Sequence, residues 1–301
     1  MNKKSLTITT GAMVTAIFGV MLLLNRQTGS LLQEVFIFLY PIPMVAYAAM
    51  YGLKNGAAAF VSMALISVFL GDLTSTFYAV TQALIGLIFG SCLYHKVDMT
   101  KTLFVVMILS ALVNIVDVVA YGYISGVSLN QEVAEMQTMM NEMFEQAGMA
   151  AAVPANMLSA NTLKQIMLVS MVFAGVLQGF IVYEVSLLIL RRLRFSVQKP
   201  KSVFEYRPPK WTGYLGLLAF FAYNQSVMMP FENEIVQNAA LSIGVFGYIY
   251  LMCFGFIAVM RWLKTNFPKV GKFSFLICLL LMFMLPMVEL LAGFWYIVRS
   301  R

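Results

Sequence analysis

Leu6 to Leu24, LTITTGAMVTAIFGVMLLL, is an uncharged run of 19 residues directly after Lys3 and Lys4. At the rise of a helix it matches the apolar thickness of a bilayer. No small-residue cleavage site follows before Asn25 and Arg26, so the run reads as a retained membrane helix rather than a removable signal peptide. Gly11, Ala12, Thr15, Ala16 and Gly19 recur at spacings of three and four, which places them on one side and lets another backbone come close. Two occupants are open for that side: helices of the same chain, or a separate docked protein.

The rest of the chain repeats the pattern. Of 301 residues, 61% are hydrophobic and 11% charged, a balance that excludes an ordinary soluble domain and predicts an all-α polytopic helical bundle. Apolar windows place helices near 5–24, 31–51, 56–72, 75–94, 102–123, 163–190, 213–230, 236–260 and 273–298, nine crossings, or eight if one segment is re-entrant. With the N-terminus cytoplasmic, 16 of the 20 Lys and Arg fall in cytoplasmic connections, leaving Arg26, Lys164, Arg299 and Arg301 outside. That bias indicates a multi-pass cell-membrane protein. The net charge of +7 therefore reflects topology and headgroup contacts, not nucleic-acid binding.

Two polar stretches divide the chain. Residues 124–162 form an extracytoplasmic insertion, in which Leu129, Val133, Met136, Met140, Met143 and Ala147 make a methionine-rich stripe with glutamates on other faces. It reads as an amphipathic helix, either a fixed cap or an adaptable lid. Residues 196–212 form a basic, proline-containing cytoplasmic linker. The expected organisation is a six-helix domain over 1–195, this linker, and C-terminal helices over 213–301.

Ionisable groups inside a bilayer are costly, and each needs a partner or a wet cavity. Asp117, Glu184 and Glu289 are the acids in this position. Asn114, Asp117 and Tyr121 share a face of one helix, and Asp72, Tyr78, Gln82 and Gln178 are candidates to converge on the same region as ligand-binding residues. The competing reading is interhelical hydrogen bonding, with Asp72 capping the following helix. Glu289 follows Pro286 by three residues, as at a broken helix. Gly86-x-x-x-Gly90 and Gly175-x-x-x-Gly179 permit close crossings, and Pro41-Ile-Pro43 interrupts an apolar run.

No enzyme is indicated. There is no Walker sequence, H-E-x-x-H or G-x-S-x-G, and His95 is the only histidine. Cys92, Cys253 and Cys278 have no metal-ligand spacing, so neither a metal nor another cofactor is expected.

KKSLTITTGAMVTAIFGVMLLL (3–24), PIPMVAYAAMYGLKNGAAAFVSMALIS (41–67) and YAVTQALIGLIFGSCLYHK (78–96) together resemble the substrate-binding subunit of energy-coupling factor transporters over about residues 1–195. Over its full length the chain is similar to the YybS-like group of bacterial membrane proteins related to those subunits. The resemblance implies a six-helix core that takes a small solute from outside. It also implies docking of a transmembrane coupling protein, with its ATPases, on an A-x-x-x-A pattern matched by Ala12 and Ala16. The acidic insertion and the three C-terminal helices depart from that pattern. A second function class stays open: a membrane scaffold or regulatory partner that carries no solute.

Overall fold

The computed structural model describes residues 3–148, 160–195, 208–268 and 270–299, and all regular structure among them is helical. The linker segment 196–207, with Lys199, Pro200, Lys201 and Arg207, lies outside the described residues, as do Pro154, Lys269 and Arg301. The chain forms α1 (Lys3–Gln27), α2 (Gln33–Leu39), α3 (Pro41–Leu70), α4 (Leu73–Tyr94), α5 (Met99–Ser125) and α6 (Leu129–Gln146). Then follow α7 (Ala160–Arg192), α8 (Lys210–Met228), α9 (Glu234–Asn266), α10 (Ser274–Met284) and α11 (Pro286–Val298). Among the described residues six helical stretches are long and apolar enough to cross a membrane, or seven if the bent pair α10–α11 is one span. Large apolar side chains such as Ile8, Val68, Phe69 and Leu218 are exposed along these helices, as a lipid-facing surface requires and a water-facing one does not tolerate.

Gln33–Leu70 passes as one 38-residue stretch by length, but it does not run straight. Proline at 41 cannot continue the α2 ladder and instead opens α3 at its first turn. Within α3, Gly52 leaves helical geometry at φ 74°, ψ −179°. A Cβ built on Gly56 would stand 3.4 Å from that of Ala48, a contact impossible eight residues along a straight helix, which rises ~12 Å over that interval. Helix α1 reports the reversal. Phe18 meets Tyr40 (5.5 Å between ring centroids) and Gly11 meets Tyr47, so residues 41–51 run antiparallel to α1. Gly19 then meets Ile66 and Leu70, and Arg26 donates to the Leu70 carbonyl at 3.4 Å, so residues 53–70 run parallel to it. The chain doubles back at Gly52, separating the runs that the sequence places at 31–51 and 56–72.

The described residues fall into two compact units. The first takes those within Met1–Ser128 and Ser170–Pro200. Its helices approach through glycine. A Cβ on Gly86 would strike the Pro41 carbonyl, one on Gly90 would lie 2.6 Å from the Val45 carbonyl, and Gly175 and Gly179 admit the α5 backbone at Ala111 and Met107. Because lipid is as apolar as the side chains, contact of this closeness, not water exclusion, holds such helices together. Phe18, Leu22, Tyr40, Met44 and Met63 fill one core, and Phe89, Val106, Tyr183 and Leu187 another.

The small-residue side of α1 is divided. Gly11, Thr15 and Gly19 are buried within the unit, whereas Ala12 and Ala16 are exposed.

The second unit takes the described residues within Leu129–Val169 and Lys201–Arg301. α8, α9 and α11 pack around Phe220, Leu251, Phe254, Leu290 and Ile297. The apolar window 273–298 is broken at the proline: α10 and α11 are bent by 113° at Leu285, because Pro286 lacks the N–H that would continue the ladder. The stripe of α6 also differs from expectation. Val133 is buried, and Met136, Met140 and Phe144 are partly buried, so the packed row steps by three, four and four and leaves Met143 and Ala147 exposed. At the start of α7, Lys164 reaches Asn130 at 3.5 Å and Gln165 accepts from Ser242 at 2.6 Å.

Candidate functional site

The candidate polar residues of the first unit that are buried lie on α4, α5 and α7. Asp117 is 2% exposed; its Oδ2 accepts from the Thr81 hydroxyl at 3.3 Å, and its Oδ1 has no hydrogen-bond partner among the described residues. Gln178 donates through Nε2 to Oε1 of Gln82 at 2.9 Å, joining α7 to α4, and both amides are buried. Asn114 is half-buried one turn from Asp117, where a Cβ on Gly175 would come within 2.9 Å of it. Tyr78, one turn before Thr81 on α4, is within electrostatic reach of Asp117, Tyr121 and Glu34. Tyr121 itself is 44% exposed.

The structure thus gathers Gln82 with Gln178, and Asp117 with Thr81, and sets Tyr78 and Asn114 beside Asp117. Asp72 does not join them. It is exposed at the N-cap of α4, nine residues before Thr81, and accepts from the Ser75 backbone N–H at 3.3 Å. Thr81 was invisible as a candidate, because no spacing within α4 relates it to an acid on α5. A second polar group was also missed: Asn25 donates to Ser75 Oγ at 3.3 Å, and the buried Tyr40 hydroxyl has no partner among the described residues. Its only sequence signal was an asparagine ending the first apolar run.

Partial burial raises the Asp72 carboxyl, but hydrogen bonds from Ser75 and the neighbouring backbone outweigh it and hold the group below its usual range. A lowered folded value means that the stabilisation is present above the unfolded value of ~3.9 and fades as pH falls through the folded one. Asp72→Ala is expected to cost about 1 kcal/mol near neutral pH, with Asp72→Asn close to wild type. The difference between Asp72→Ala and wild type should shrink below about pH 4 in unfolding midpoints measured in mixed micelles.

Among the described residues no three His, Cys, Asp or Glu side chains are grouped to hold a metal ion. What the α4–α5–α7 arrangement offers is a carboxyl with one uncommitted oxygen, flanked by a hydroxyl, amides and phenols. That set suits hydrogen bonding to a small polar group.

No curated protein and no solved structure matches the chain. The family described as predicted membrane protein DUF2232 matches residues 16–295, nearly the whole length. The chain belongs to that family of membrane proteins.

Proposed function

We propose that the first unit captures a small polar solute from the outer face of the cell membrane, as a substrate-binding or transport-related subunit. The observation that carries this reading is the unpartnered Oδ1 of Asp117, since a buried carboxylate oxygen left unpaired is costly unless something binds it. Asp117 is the anchor, Gln82, Gln178 and Asn114 orient the solute, Tyr78 and Tyr121 stack at its edge, and Asp72 lies toward the mouth. The chain is not an enzyme and takes no cofactor. The N-terminus is cytoplasmic, and the reversal at Gly52 supports six crossings in this unit, similar to the core of energy-coupling factor substrate-binding subunits and of the YybS-like group. The 113° bend of α10–α11 supports a re-entrant last segment and eight crossings in all, which returns Arg299 to the side holding most basic residues.

Exposed Ala12 and Ala16 are the docking surface for a transmembrane coupling protein with its ATPases. Protein gently extracted from its native membrane and weighed intact should retain a small molecule, reduced about tenfold or more in Asp117→Ala and Asn114→Ala, the scale of one hydrogen bond to a charged group. Ala12→Leu/Ala16→Leu should lose the coupling polypeptides and keep the solute. Undiminished retention in both site variants would remove the site. The same exposed alanines favour the second reading, a scaffold or regulatory partner, in which other polypeptides co-purify and no solute does.

A further inference from the structure

Glu289 is 0% exposed, and neither carboxylate oxygen has a hydrogen-bond partner among the described residues. It stands in the first turn of α11, immediately after the break at Leu285–Pro286. The approach of α9 is close enough that a Cβ on Gly255 would collide with the Glu289 carbonyl, so this buried residue stands at a tight helix crossing. The titratable groups facing it are Tyr248 from α9 and Cys278 from α10, both within its electrostatic reach; Lys264 of α9 lies within reach of Cys278. The Cys278 thiol is turned to the Phe256 carbonyl at 3.8 Å. From α8, Tyr214 packs on Phe294 and Tyr223 lies against Gly244 and within reach of Tyr248.

Burial without a partner favours the neutral acid, and the helix start offers the anion little, since Pro286 has no N–H and the Val288 N–H donates to the Leu285 carbonyl at 3.0 Å. Broken helices inside membranes persist where the interrupted backbone is buried in protein or lines a wet path, and an acid at such a break is where a proton can be held and exchanged. We propose that Glu289 is a reversible proton-binding site of the second unit, loaded and emptied at the α10–α11 break. The site is independent of solute capture by the first unit.

The test uses full-length protein in detergent and N,N′-dicyclohexylcarbodiimide, an apolar reagent that adds to protonated carboxyls without loss of any group, giving an N-acylurea. Peptide mass spectrometry is expected to find one adduct at Glu289, falling at least tenfold from about pH 5 to about pH 9, unaffected by sodium and absent in Glu289→Gln. In parallel, infrared spectra should contain a protonated-carboxyl stretch that titrates over the same range and disappears in Glu289→Gln. No adduct at Glu289, labelling independent of pH, suppression by sodium, or an infrared band unchanged in the variant would each overturn the proposal. Because the infrared readout needs no reagent access and Glu289→Gln preserves shape, these outcomes do not depend on a variant that fails to fold.

Discussion

Gly255→Val and Gly293→Val are expected to destabilise the second unit by about 3 kcal/mol or more each, at or beyond the upper end for overpacking a helix contact. The reason is where the new atom would go. At Gly255 it meets the Glu289 carbonyl, and at Gly293 the Leu251 carbonyl, so the obstacle is hydrogen-bonded backbone and not the movable end of a side chain. Relief requires α9 and α11 to separate, which forfeits the dispersion contacts of Leu251, Phe254 and Leu290 for which lipid is only a partial substitute. The unit carries Trp211, Trp262 and Trp295, all the tryptophans of the chain, so its unfolding by dodecyl sulfate in mixed micelles is followed directly by fluorescence. Leu218→Ala, on an exposed lipid-facing position, should shift the same transition by less than about 0.5 kcal/mol. Midpoints for the glycine variants equal to that control would refute the close α9–α11 crossing.

Gly52→Ala should cost about 2 kcal/mol in the first unit, and Gly52→Asn no less. At φ 74°, ψ −179° the residue occupies a region that is essentially closed to side chains, and even asparagine, which tolerates the left-handed helical region, gains nothing there. Tyr94 adds a minor term: its ring lies 3.0 Å from the position of a new Cβ, but it is half exposed and can move. Gly126 is the contrast. It ends α5 at φ 71°, ψ 8° with open space around it, so Gly126→Asn should be tolerated within about 1 kcal/mol. Thiol labelling of the partly buried Cys92, two residues before Tyr94 on α4, read by peptide mass spectrometry, reports the difference. Faster labelling is expected in both Gly52 variants and wild-type rates in Gly126→Asn; equal rates throughout would mean the reversal does not depend on Gly52.

Much of the helical layout was legible as apolar runs bounded by Lys, Arg, Gly and Pro. The membrane solvent and the break before Pro286 follow from residue types alone, as does the close-packing role of Gly86, Gly90, Gly175 and Gly179. The candidate site was legible only in part. Asp117 is conspicuous because a lone acid in an apolar run is conspicuous, and Asn114 shares its face by helical period. Its hydroxyl neighbour Thr81 and the pairing of Gln82 with Gln178 depend on how α4, α5 and α7 are rotated about their axes, which no single-helix period encodes. At Asp72 the structure shows the capping alternative that the sequence left open. A charged residue between two spans satisfies the start of its own helix before it can serve a distant site.

By itself the sequence determined that this protein lives in a bilayer as a bundle of helices, because 1.5 Å per residue and the cost of unpaired backbone groups in hydrocarbon leave few other ways to arrange such runs. Only the tertiary structure decided which half of the small-residue side of α1 is used internally, where the chain reverses, and which polar atoms remain unpartnered. Those outcomes depend on helix rotation and register, set by contacts between residues far apart in the chain: Gly11 with Tyr47, Thr81 with Asp117, Gly255 with Glu289.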